Sequence, residues 1–174
     1  QSLLAAIIAH KGKEGAKTWA QGIVKNMARN PKGNDRDQIK AVVGNVGDVA
    51  IANTYYLGKL VTSADAAEVE VGQKVKIFFP NQETTGTHIN VSGGGITTHA
   101  PNKENAVKLL EFLASKSVQE EFASSNFEYP TNPNAEISDL LKSWGTFKID
   151  TLNLNELGKN NTAAIMIFNE VDWK

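Results

Sequence analysis

The sequence predicts an α/β protein, on three observations. Short apolar runs bounded by turn residues alternate with amphipathic helix patterns, 174 residues with 41% hydrophobic side chains suffice to bury a core, and no repeat or low-complexity segment breaks the alternation. Eighteen basic against nineteen acidic side chains leave a net charge of -1, so the chain carries no electrostatic footprint for nucleic acid or an anionic membrane. Charged residues at 21% do not suit a disordered chain, and apolar runs such as 3–9 are far shorter than the ~20 residues of a spanning helix. Cysteine is absent, which excludes disulfides, thiolate metal sites, iron–sulfur clusters and cysteine nucleophiles together.

The elements follow in chain order. Residues 2–10 read as a short apolar helix and 13–29 as an amphipathic one with Trp19, Ile23, Val24 and Met27 near one face. The opening residues, 1–8, lack an initiator Met and a basic leader and read as a helix edge, so a fragment or processed form is expected. After the loop 30–34, Asn34 or Asp35 caps a helix through Ile39, Val42 and Val43 to Gly44. The run 47–53 reads as a buried strand covered on both faces, and Thr54 as the cap of a helical segment 56–61. Further strands are expected at 75–79, stopped by Pro80-Asn81, and at 87–92, ahead of Gly93-Gly94-Gly95. Helices resume from Asn102 and again from Ser117; an extended connection, 128–134, leads to closing helices at 136–142 and 155–173.

Tyr55-Tyr56 is the leading candidate site, because it lies where a strand run ends and a helix begins, the place where open α/β sheets hold ligands. Adjacent side chains diverge on regular backbone, by about 100° on a helix, so convergence on one ligand calls for an irregular junction. A phenolate is a hard anionic oxygen donor suited to a hard cation such as Fe(III), whose field lowers a phenol pKa from about 10. Two aromatics packed at a helix start, with wet hydroxyls, is the plainer alternative. His10, His88 and His99 fall in different elements without i,i+3 or i,i+4 pairing and read as structural or surface residues. Gly93-Gly94-Gly95 has no phosphate-binding pattern around it and reads as a flexible turn. No nucleophile elbow, His-Glu-x-x-His or flanking carboxylate pair is present, so nothing in the sequence marks an enzyme.

At Gly47-Asp48-Val49-Ala50-Ile51-Ala52-Asn53-Thr54-Tyr55-Tyr56-Leu57 the sequence resembles the iron-binding solute receptors of ABC transporters, especially the cyanobacterial iron-deficiency-induced type. Arg36-Asp37-Gln38-Ile39-Lys40-Ala41-Val42, Gly86-Thr87-His88-Ile89-Asn90-Val91-Ser92-Gly93 and Glu128-Tyr129-Pro130-Thr131-Asn132-Pro133 carry the resemblance through the chain in the family's order. It implies a type II periplasmic-binding-protein fold, two α/β lobes closing on the metal like a hinged clamp, with this chain roughly the C-terminal half. Residues 1–85 and 137–174 would form the second lobe, and 86–136 a hinge-crossing segment contributing to the first. Tyr55 and Tyr56 would be two phenolate ligands of Fe(III), with Fe(II) as the other oxidation state. Further tyrosines, and in some members a histidine, would come from the missing N-terminal half, one tyrosine lying just ahead of the first helix. Asn53 would contact a synergistic anion where one is used. The implied partner is an ABC permease in the membrane, and the implied location is periplasmic, or membrane-associated on the periplasmic or lumenal side. A receptor of the same fold for an oxyanion or small organic anion, held by helix N-termini and loop amides, is the alternative; a hydrolase or transferase is a distant one.

Overall fold

The computed structural model describes residues 1–173 and divides into two compact units, the first comprising Gln1–Ile51, Phe78–Asn90 and Phe147–Lys174, the second Ala52–Ile77 and Val91–Thr146. The division by lobes implied above, 1–85 with 137–174 against 86–136, follows other boundaries: packing within the chain groups 52–77 with 91–146.

In the first unit, α1 (Ser2–Lys25) packs along α8 (Asn155–Glu170). Ala5, Ala16, Ala20 and Ala164 are fully buried between them, and side chains this small let two helix backbones approach closely around Leu4, Ile8, Ile167 and Val171. Trp173 closes the far end, stacked on Trp19 at 6.0 Å and edge-on to Phe168 at 5.1 Å. Gly12 interrupts α1 with φ 70° and ψ 173°, a left-handed geometry that glycine takes without a Cβ clash, so the expected pair of helices is one helix broken at that residue. α2 (Asp35–Val43) starts in a capping box: Asn34 Oδ1 accepts from the Arg36 N–H and the Asp37 carboxylate accepts from the Asn34 N–H.

The second unit holds α3 (Thr54–Val61), α4 (Ala66–Gln73), α5 (Lys103–Leu113), α6 (Lys116–Glu121) and α7 (Asp139–Ser143), with a π-helical turn at Phe122–Asn126 after α6. Its core is Ala123, Phe127 and Leu141, with Tyr55, Tyr129, Ile137, Leu140 and Trp144 packed around it. The sequence analysis assigned no element to 62–74, where α4 forms behind an Asp65 cap.

The expected strands are corrected. Among the described residues one β-bridge forms, the parallel pair Thr87 and Ile149, and 47–53, 75–79 and the rest of 87–92 are extended backbone outside any ladder. A strand needs a neighbour to take its amide hydrogen bonds, and these runs find none within the described chain. The 47–53 run is not buried on both faces either, since Val49 is 85% and Ile51 52% exposed.

Asp150 is the buried charged residue of the first unit at 8% exposure, and it draws three distant segments together. Its Oδ2 lies 2.8 Å from His10 Nε2 and accepts that ring's proton, its Oδ1 accepts from the Leu152 N–H, and its own N–H donates to the Thr87 carbonyl at 2.8 Å. Gly86, at φ 90°, makes the turn against the Ile149 carbonyl, where any Cβ would collide. Beside it His88 Nε2 lies 3.1 Å from Ser2 Oγ, so two histidines moor the first three turns of α1.

Two predictions follow from this unit. Ala20→Leu forces a branched side chain into the α1–α8 contact and destabilises the fold by about 1–3 kcal/mol in denaturant titration. Burial pushes the His88 ring below its ordinary 6.5, with Asp150 opposing. The folded state thus holds the neutral ring. Unfolding takes up a proton below the unfolded value, so this contribution is present above about pH 6.5 and is lost as the pH falls below it. Melting temperature should drop between pH 7 and 5, and His88→Gln should flatten that drop; an equal slope in both proteins contradicts it.

Candidate metal centre

α3 places the tyrosine pair. Asn53 is the N-cap residue, with extended backbone at φ -76° and ψ 140° and no side-chain cap bond, so the helix begins at Thr54, one position earlier than a Thr54 cap would give. Tyr55 and Tyr56 both fall in the first turn. On a helix they stand about 100° apart, yet their ring centroids lie 4.4 Å from one another with the planes tilted by 39°. The opposite face of α3 is buried through Leu57, Gly58 and Leu60, while both tyrosines are half-buried, Tyr55 packing against the Ala123, Phe127 and Leu141 core. The start of the helix is thus tied to the core through Tyr55, with the Tyr56 ring resting against it.

Lys59 is a member of this site that the sequence analysis passed over. It follows Tyr55 by four residues and Tyr56 by three, so it lies between them in helical angle, and its ammonium sits 5.5 Å and 6.0 Å from the two ring centroids. The i+3/i+4 spacing was the available signal. A cation at that place is attracted by the electron-rich faces of both rings.

The histidines stand elsewhere. His10 and His88 belong to the first unit and line one cavity of about 260 Å³ with Asp150, Lys11 and Thr84, and His99 is exposed. Among the described residues no group of three His, Cys, Asp or Glu side chains could hold a metal ion. Tyr55 and Tyr56 stand at the start of α3, next to the N-cap residue Asn53.

The bacterial extracellular solute-binding protein model matches residues 6–149. Iron uptake protein A1 of Synechocystis sp. is 45% identical over all of this chain and 48% of its own length. The Trichodesmium protein IdiA (FutA), solved in complex with iron and citrate ligands, superposes with a TM-score of 0.96 at 46% identity, over 99% of this chain and 55% of that one. A ferric binding protein from Campylobacter jejuni gives a TM-score of 0.95 at 42% identity, over 99% and 55%. The chain spans about half the length of the curated relatives it matches. Its fold class is that of the type II periplasmic binding proteins, and the chain belongs to the bacterial extracellular solute-binding protein family.

Proposed function

We propose that this chain is part of a receptor that captures Fe(III) through the phenolates of Tyr55 and Tyr56 and hands it to an ABC permease at the periplasmic face of a membrane. The observation that carries the reading is the pair itself: two phenol rings 4.4 Å apart at the half-buried start of α3, in a chain 45% identical to a named iron uptake protein. Two phenolates cannot complete Fe(III), which takes about five or six donors. The remaining donors come from the other half of the full-length receptor, from water or from an anion. Asn53, at the N-cap with no cap bond of its own, is placed to contact such an anion, and the solved Trichodesmium relative carries citrate. The protein is a carrier and not an enzyme: iron is its cargo, held against hydrolysis by charge-neutralising oxygen donors and released when the receptor docks on the permease. No described helix is long and apolar enough to cross a membrane.

The test is an Fe(III) titration of the full-length receptor, followed by the visible phenolate-to-iron charge-transfer band. Tyr55→Phe and Tyr56→Phe each keep the ring and remove the donor, and each should lower affinity at least about tenfold, or about 1.4 kcal/mol, with the band weakened. The double variant should lose the colour while its far-ultraviolet circular dichroism stays unchanged. Iron binding at wild-type strength in the double variant overturns the assignment of the two phenols as ligands.

A further inference from the structure

The π-helical turn after α6 ends in an unusual residue. Phe127 has φ 61° and ψ 32°, left-handed geometry that a bulky side chain rarely adopts, and its N–H closes the π turn on the Phe122 carbonyl. This conformation drives the ring inward, where it is 7% exposed, directly onto Gly58 of α3. A Cβ added at Gly58 would stand 2.3 Å from Phe127 Cγ and 2.7 Å from its Cβ, so backbone meets ring with nothing between them. Gly58 follows Tyr56 by two residues, and Tyr55 packs into the same core as Phe127.

α3 also packs along α4, with Leu57 and Leu60 buried. It is eight residues long, its cap residue offers no side-chain bond, and its other glycine contact, Gly72 of α4 against Val61 and Leu60, holds the opposite end. The end that carries the tyrosines is held by Phe127. We propose that Phe127 is a positioning residue for the tyrosine pair, seating α3 through Gly58 and so fixing where the two phenols are presented. The inference rests on the reading of Tyr55 and Tyr56 as ligands, and it names the device that preorganises them. A π turn inserts one residue relative to an α turn; without it the residue reaching Gly58 would be turned by about 100° and the ring would leave its seat.

The experiment uses the full-length receptor with two readouts, the near-ultraviolet circular dichroism of the metal-free protein and the charge-transfer band on Fe(III) titration. The difference between wild type and Tyr55→Phe defines the signal of the pair. Gly58→Ala should keep the far-ultraviolet spectrum, lose most of that signal and bind iron at least tenfold more weakly. Adding Phe127→Gly to Gly58→Ala should leave the signal lost, because it makes room for the new methyl but removes the ring that seats the helix; recovery of the wild-type signal in this double variant overturns the proposal. Ala20→Leu, a destabilising change in the first unit, should move neither readout. If Gly58→Ala does not fold, Phe127→Leu serves, with the same loss expected. A folded Gly58→Ala or Phe127→Leu protein with the wild-type signal and band overturns the proposal, as does an equal loss in Ala20→Leu. Failure of the ligand reading is separate: iron would then bind the double Tyr→Phe variant normally, and the metal-free signal would still decide the role of Phe127.

Discussion

The second unit depends on one bare stretch of helix backbone. Because residue 58 has no side chain, an aromatic ring can lie against α3, and because that ring comes from a left-handed residue at the end of a π turn, the contact joins two segments far apart in sequence. Unfavourable backbone geometry of this kind, costing roughly 1–3 kcal/mol, persists only where surrounding packing over-determines it. Here the packing is the core of Ala123, Phe127 and Leu141, and the beneficiary is the first turn of α3. Rigid placement matters for a hard metal, since donors already in position bind without a further ordering cost.

The first unit solves a different problem, that of holding segments separated by most of the chain. Asp150 and His10 are 140 residues apart, and a buried carboxylate with both oxygens engaged is stable only while its donors stay in place. The break at Gly12 comes immediately after His10 and Lys11, so α1 is moored to the loops by its first half and to α8 by both halves.

How much of this was legible in the sequence depended on whether the cause was local. The Asn34 cap, a break in the helical pattern between residues 10 and 13, and helices from about Asn102 and Ser117 all announce themselves within a few residues, and they appear within a residue or two of where they were expected. The junction bearing Tyr55 and Tyr56 was legible for the same reason. The strands were not, because an apolar run encodes a tendency and the ladder belongs to a pair of segments. α4 was missed because Val69 and Val71 sit in a helix with almost no apolar face to betray it. The gathering of His10, His88 and Asp150 leaves no trace in spacing, and nor does the left-handed Phe127: the position calls for glycine or asparagine, and the asparagine present, Asn126, precedes it by one residue.

The extended runs have a consequence for the chain as a substance. Val49 and Phe78, 85% and 84% exposed, stand on backbone whose amides and carbonyls are not in a ladder, and both lie beside points where the chain passes from one unit to the other. Large apolar side chains exposed on such backbone favour association as the protein concentration rises, independently of how stable the helical cores are.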